Sequence, residues 1–121
     1  MIKIAQKVIY EKNMMPSIRE CIEIDVENNK ICYIKNDNKI EKENISNELI
    51  TNYLEQLFRI TNGWKKEYIN QDFFDGIEWR LTIIYRDGEK TEYIGKNKFP
   101  YNFVYLDKIE YQMINKIMEN K

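Results

Sequence analysis

Acidic and aromatic side chains are concentrated in one short stretch, from Gln71 to Trp79. Paired carboxylates beside aromatic rings can perform glycosidic acid and base catalysis or bind a cation. The spacing, however, lacks the alternating oxygen ligands of a calcium loop, and 121 residues leave little room for a sugar cleft. Two interpretations remain open: a solvated loop with one phenylalanine in the core, and a loop that contacts a partner. The residues predicted to contact a partner are Asp72, Phe73, Phe74, Asp75 and Glu78.

The sequence contains no histidine. Histidine-dependent triads, Cys-His pairs and imidazole metal sites are therefore excluded, whereas carboxylate chemistry and a lysine nucleophile are not. The stretch Gly95-Lys96-Asn97-Lys98 lacks the longer glycine-rich frame of a phosphate-binding loop, so we expect a structural turn there. We predict no catalytic residue, no cofactor and no metal site.

Two cysteines, Cys21 and Cys32, could in principle form a redox pair. A two-residue turn at Asn28-Asn29 would pair Glu27 with Lys30 in a hairpin. In that register the thiols share a face but lie four residues apart along the strands, about 13 Å. A disulfide requires Cα atoms within about 7 Å, so we expect two free thiols.

Size and charge restrict the class of protein. A chain of 121 residues is typical of one domain, residues 1–121, and its net charge of -1 argues against nucleic acid as the partner. The first seven residues lack the apolar core of a signal peptide, and no apolar run approaches the ~18 residues of a membrane span. We therefore expect a cytoplasmic protein without a membrane segment.

The clearest predicted helix begins after Ser46 and ends at Gly63. Ser46 suits the N-cap, and Ile45 and Ile50 suit a hydrophobic staple. Glycine suits the left-handed position that follows a helix. The apolar stripe predicted for this helix has the spacing of successive helical turns and comprises Leu49, Ile50, Tyr53, Leu54, Leu57 and Phe58.

Alternating apolar residues predict strands before and after this helix. The first strand carries Ile4, Val8 and Tyr10, and a hairpin follows it, with a possible short strand at Lys39 to Glu41. A second hairpin turns at Asp87-Gly88 and pairs Arg86 with Glu89. The predicted core includes Leu54, Leu57, Trp79, Leu81 and Ile83.

A last helix is predicted from about Asn102 to Glu119, with an apolar stripe of its own. Its buried positions are Phe103, Leu106, Ile109, Met113, Ile114 and Ile117. The order of elements is β-β-β-α-β-β-α. We predict an α+β fold: an antiparallel sheet of about five strands with both helices packed on one face.

One pattern resembles small uncharacterised α+β proteins of low-GC Gram-positive bacteria. It covers about a fifth of the chain: Trp79-x-Leu81-x-Ile83-x-Tyr85-x-Asp87-Gly88, then Tyr93-x-Gly95-x-Asn97-x-x-Pro100-x-Asn102-Phe103. Some similar small proteins act as immunity proteins or phage accessories. The resemblance implies a bacterial protein of this fold and assigns no catalytic residue.

These observations favour a protein-binding module without enzymatic activity, of an immunity or accessory type, whose partner would be another protein such as a basic toxin. The alternative is a small ligand-binding domain or enzyme that uses carboxylates or lysines. A concave pocket with two convergent carboxylates would favour the alternative, and a flat exposed aromatic patch would favour the binding module. The pattern does not set the oligomeric state.

Overall fold

A computed structural model describes residues 3–14, 17–70 and 76–119. The described chain forms two helices and seven strands of one sheet. In chain order these are β1 Ala5–Met14, β2 Ile18–Asp25, β3 Lys30–Lys35, β4 Asn38–Lys42, α1 Asn47–Thr61, β5 Glu67–Ile69, β6 Ile77–Tyr85, β7 Lys90–Lys96 and α2 Phe103–Met118.

The sheet has the order β4-β3-β2-β1-β6-β7-β5 and is antiparallel except for the pair β5 and β7. Side chains alternate between the faces, so register decides which residues meet. Tyr10 lies opposite Ile22 on one side and Leu81 on the other, and all three are buried. The buried residues of the long strands thus share one face. Rings from the helical layer pack there, as Phe103 does against Tyr10.

The opposite face of the sheet is charged and carries cross-strand ion pairs. Lys7 on β1 pairs with Glu23 on β2 at 2.9 Å, and Lys30 on β3 pairs with Glu41 on β4 at 3.5 Å. Antiparallel sheets commonly cover one face and leave the other in water. The alternation of apolar and charged residues in the sequence is the cause of this two-sided sheet.

Helix α1 begins as predicted from its sequence. The Ser46 hydroxyl accepts a hydrogen bond of 3.1 Å from the Leu49 amide, which satisfies one of the free donors of the first turn. After the helix, Gly63 takes a φ of +83°. Ile50, Tyr53 and Leu57 are buried, whereas Leu54 is only half-buried.

Helix α2 buries all six residues predicted for its stripe. A seventh buried position is the carboxylic acid Glu110. The two helices contact each other, and α2 also contacts β3 and β4. The buried residues of α1 belong to the same core cluster as the buried face of the sheet. No helix among the described residues is long and apolar enough to cross a membrane.

The α+β class and the two helices are confirmed, but the prediction of about five strands was too low. The short strand expected near Lys39 extends from Asn38 to Lys42. The strand that was missed, β5, has three residues and pairs in parallel with β7. Its pairing is non-local, and three residues are too few to show a period in the sequence.

Both predicted hairpins exist, but both registers were wrong. Asp25, not Glu27, pairs with Lys30. The Asp25 carboxylate accepts from the Asn28 amide at 3.1 Å, and Asn29 has a φ of +50°, so the loop contains four residues instead of two.

In the second hairpin the loop contains three residues instead of two. Tyr85 donates its amide to the Glu89 carbonyl at 2.9 Å, and Arg86 is part of the turn. Gly88 has a φ of +88°, the left-handed position of a type I turn with a G1 bulge.

Two predicted core positions are exposed. Ile4 precedes β1, where the register against β6 shifts between Ala5 and Lys7, so the inward position passes to Ala5. Phe58 is 39% exposed because it lies beside, not on, the line of Ile50, Tyr53 and Leu57. Of the five core residues predicted from the sequence, Leu57, Trp79, Leu81 and Ile83 are buried.

Candidate functional site

The predicted partner-binding stretch is described by the structure only at its end. Asp72, Phe73, Phe74 and Asp75 lie outside the described residues. Glu78 is on β6, opposite Asn13 of β1 and Lys96 of β7, on the charged face of the sheet. Its carboxylate lies 3.9 Å from the Lys96 ammonium, and its side chain is exposed. Of the predicted contact residues, Glu78 is therefore in a position to reach a partner.

The residues that flank this stretch lie close to one another. The Asn70 amide donates to the Lys96 carbonyl at 2.9 Å, and the Ile77 amide donates to the Asn97 side-chain oxygen at 2.9 Å. A Cβ atom on Gly76 would lie 1.7 Å from that oxygen, so only glycine fits there. Asn70 and Ile77, which flank the segment on either side, therefore both lie next to the end of β7.

The connection from β7 to α2, residues 97–102, also starts at the end of β7. Buried side chains beneath it hold its backbone by hydrogen bonds. The Trp79 indole donates to the Lys98 carbonyl at 3.0 Å. The Trp64 indole donates to the Asn102 side-chain oxygen at 2.8 Å, and the Asn102 amide group donates to the Ile60 carbonyl at 2.9 Å. Two buried tryptophans therefore fix the path of this connection.

Exposed aromatic rings project from this fixed support. Tyr101 is 96% exposed, Tyr105 in the first turn of α2 is more than half exposed, and Phe99 is 39% exposed. The Phe99 ring also packs on Phe103 with ring centroids 4.8 Å apart. Phe99, Tyr101 and Tyr105 are called the aromatic surface below. Three exposed rings within seven residues of the chain form a larger apolar group than single exposed side chains do, and such groups occur at interaction sites.

A hollow of about 370 Å³ lies on the charged face near Glu78. Glu11 and Glu78 contribute carboxylates to it, and Arg80 and Lys96 contribute the balancing cations. Glu78 is paired with Lys96. The hollow therefore presents mixed charge and no isolated pair of carboxylates.

The most unusual ionisable group is Glu110, which is 1% exposed. The Tyr53 hydroxyl of α1 donates a hydrogen bond to its Oε1 atom, and its Oε2 atom has no partner among the described residues. Burial in the core, against the opposing effect of the Tyr53 hydrogen bond and with a smaller contribution from Asp107, raises the pKa of Glu110 to about 8. A group this buried is neutral at pH 7.

Other polar groups surround Glu110 at the junction of α2 and the sheet. Asp107 accepts from the Tyr10 hydroxyl at 2.6 Å and from the Lys12 ammonium at 3.1 Å. Glu20 accepts from the Tyr33 hydroxyl at 2.9 Å. Burial is the main cause of the raised pKa values of Tyr10 and Tyr33.

The space between these groups is too small for a substrate. The cavity bounded by Lys12, Glu20, Glu110 and the neighbouring tyrosines has about 10 Å³ of free volume, close to the room for one water molecule. These polar groups therefore hold the elements together: Asp107 joins α2 to β1 through Tyr10 and Lys12, and Glu110 joins α2 to α1. The alternative of carboxylate or lysine catalysis gains no substrate pocket at this cluster.

No family model matches this sequence, and no curated protein matches it either.

Both cysteines are free thiols, as predicted, but the register predicted for their strands was wrong. Cys21 lies opposite Ile34 and Cys32 opposite Glu23, so the cysteines are diagonal neighbours two residues apart instead of four. Diagonal Cα atoms lie about 7–8 Å apart, still beyond the usual disulfide limit. Across residues 3–14, 17–70 and 76–119, no group of three or more acidic or cysteine side chains could hold a metal ion.

Neither the aromatic surface nor the burial of Glu110 was predicted from the sequence. For Glu110 a signal was present: it lies four residues after Leu106 and three before Met113, on the predicted buried stripe. A carboxyl group at such a position indicates a buried polar contact. For Tyr101 there was no local signal, because the residue precedes the helix and follows Pro100 in an irregular connection.

Proposed function

We propose that this chain is a protein-binding module that holds its partner at the aromatic surface, with the predicted contact residues Asp72, Asp75 and Glu78 contributing negative charge. The exposure of Tyr101 is the observation that carries the proposal. Tyrosine is enriched among residues that dominate binding energy, because its ring buries a large area and its hydroxyl keeps a polar contact.

The rigid support of the aromatic surface strengthens the proposal. Ordering a mobile side chain or loop on binding costs free energy, so a preformed surface binds with a smaller loss. The connection that carries Phe99 and Tyr101 is held by hydrogen bonds from Trp79 and Trp64, and both tryptophans are buried. The surface is thus available without rearrangement of the core.

The partner expected at this surface is a basic protein. Asp72 and Asp75 belong to the segment whose flanking residues lie beside the aromatic surface, and Glu78 follows them. Clustered acidic groups accelerate the encounter with a basic protein, and aromatic anchors then slow its dissociation. A nuclease-like toxin has this chemistry, and the resemblance to small bacterial proteins supports an immunity or accessory role in particular.

The test compares three variants with one partner. A protein captured from lysate of the source cells is identified and purified, and its association and dissociation are measured by biolayer interferometry. Tyr101→Ala is expected to raise the dissociation rate at least tenfold, about 1.4 kcal/mol or more. Asp72→Lys combined with Asp75→Lys is expected to slow association and to weaken its dependence on salt.

Ile4→Ala is the matched control, because Ile4 is half exposed and its carbonyl accepts from Arg86 at the other end of the sheet. It should leave both rates unchanged. If Tyr101→Ala and the double lysine variant also bind with unaltered kinetics while their melting temperatures match wild type, the partner does not bind at this surface and the proposal is wrong.

A further inference from the structure

The carboxyl group of Glu110 has one oxygen that makes no hydrogen bond to the described chain. The side chain is 1% exposed, and the Tyr53 hydroxyl donates to Oε1, whereas Oε2 has no partner among the described residues. Because the group is neutral at pH 7 and Oε1 accepts from Tyr53, the proton of the acid lies on Oε2. Oε2 is therefore a buried donor that requires an acceptor, and buried donors are almost always paired with protein or with ordered water.

The small cavity between α2 and the sheet lies against the same carboxyl group. Its free volume is about 10 Å³, and Glu110 is one of the residues that bound it. Lys12 of β1, Glu20 of β2 and Tyr33 of β3 bound it on the sheet side. A buried water needs about 10–15 Å³ and two to four polar partners. The cavity has the volume and the polar groups for one water molecule.

Glu20 supplies an acceptor at this cavity. Its carboxylate accepts a hydrogen bond of 2.9 Å from the Tyr33 hydroxyl, and the Tyr111 side chain interacts with the same carboxylate. A carboxylate has about four acceptor positions, so two tyrosine hydroxyls leave room for a further donor. A molecule in the cavity that accepts from Glu110 and donates to Glu20 would therefore satisfy both acids.

We propose that one water molecule is bound in this cavity as a fixed part of the fold, accepting from Glu110 Oε2 and donating to the Glu20 carboxylate. Water is both an acceptor and a donor, as the two groups require. A cation does not fit this role, because the protonated Oε2 needs an acceptor and the Lys12 ammonium at the same cavity repels positive charge. The volume excludes a larger ligand.

The water connects α2 to a strand that Glu110 does not reach directly. The Tyr53 hydrogen bond joins Glu110 to α1, and the water joins it to β2. Tyr111, which also bounds the cavity, is 41% exposed, so the water can enter from the surface without opening the core. This site lies beyond the proposed function and uses none of the residues assigned to the partner.

Crystal structures of wild type and of two variants of similar side-chain size test the site. Wild type is expected to show a water about 2.5–3.2 Å from both the Glu110 and the Glu20 carboxyl oxygens. Glu110→Gln keeps a donor at the same place and should retain the water. Glu110→Met removes the donor, leaves an apolar side chain at this side of the cavity and should lose the water.

Oxygen-17 relaxation dispersion tests the site in solution, because it counts waters whose residence exceeds the tumbling time of the protein. Glu110→Met should have about one fewer long-lived water than wild type, and Glu110→Gln should have the same number. Gln112→Met is the matched control, since it places the same side chain at an exposed position of α2. It should leave the count unchanged.

A wild-type crystal structure with an ordered Glu110 side chain and no water within hydrogen-bond distance of Oε2 overturns the proposal. This outcome does not depend on the folding of any variant. A Glu110→Met protein that retains the water also overturns it, because the molecule is then held without Glu110. Equal counts of long-lived water in wild type and Glu110→Met have the same meaning. None of these outcomes bears on partner binding, since Tyr101, Asp72 and Asp75 are unchanged throughout.

Discussion

The Tyr53 hydroxyl donates a hydrogen bond to the Glu110 carboxyl group inside the core, joining α1 to α2. Both side chains are buried, and the second oxygen of Glu110 has no partner among the described residues. A carboxyl group in this setting must be protonated for the fold to be at its most stable, because an ion there would be desolvated without a counter-charge. Because Glu110 must stay protonated, the free energy of unfolding depends on pH.

Glu110→Gln should reduce that dependence. The pKa of Glu110 is about 8 in the folded chain and near 4.5 in the unfolded chain, so the folded state binds the extra proton between these values. Stability from this group is complete below pH 4.5 and is lost as pH rises through 8. The free energy of unfolding, measured by urea denaturation from pH 5 to pH 8.5, should fall less steeply in the variant, by up to about 1.4 kcal/mol per pH unit.

The groups that face Glu110 also influence its pKa. They are Tyr53 on α1, Asp107 on α2, and Tyr10 on β1. Glu119→Gln removes an exposed carboxylate from the end of the same helix and should leave the slope as in wild type. Equal slopes for Glu110→Gln and wild type would mean that Glu110 is ionised in the folded protein.

The helices and most strands could be predicted from the sequence, but the pairing registers of the strands could not. The reason is physical. Ser46 and Gly63 act locally, through a side-chain cap and a left-handed backbone, so the bounds of α1 could be inferred from neighbouring residues. The register of β2 and β3 depends on whether Asp25 caps the turn, and several loop lengths fit the same Asn28-Asn29 sequence. The pairing of β5 with β7 depends on residues that are distant in the sequence. The exposure of Tyr101 likewise depends on how the distant parts of the chain pack.

Gly95→Ala should destabilise the core below the aromatic surface. Gly95 lies opposite Trp79 in the β6–β7 ladder, and a Cβ atom would lie 1.9 Å from the indole Nε1. The indole would have to move, losing its bond to the Lys98 carbonyl, so we expect a loss of about 1–3 kcal/mol in urea denaturation. Tryptophan emission should shift as well.

Thr91→Ala is a control in the same strand, because Thr91 is half-buried and makes one hydroxyl contact with Tyr85. Its emission spectrum should match wild type. A Gly95→Ala protein with unchanged stability and emission would show that the indole does not lie across Gly95 in solution.

The two cysteines should stay reduced and react slowly. Burial, with help from Glu11 and Glu23, raises the pKa of Cys21 to about 11, and burial also raises the pKa of Cys32. The thiolate is the reactive form, so alkylation by iodoacetamide at pH 8 should be slower than in the unfolded chain. Mass spectrometry should find two free thiols, and the melting temperature should be the same with and without reductant. A disulfide between Cys21 and Cys32, detected as a loss of two hydrogens, would contradict the separation of these diagonal neighbours.

Leu57→Ala and Phe58→Ala should have very different costs, although the sequence placed both residues on one apolar stripe. Leu57 is fully buried between α1 and the sheet, and its removal leaves a cavity, so the free energy of unfolding should fall by about 2–5 kcal/mol. Phe58 is partly in water, so its truncation should cost less than about 1 kcal/mol. Urea denaturation of the two variants measures both values in one protein, at adjacent positions of one helix. Equal losses would mean that α1 is rotated by part of a turn from the orientation described, and that Phe58 shares the core with Leu57.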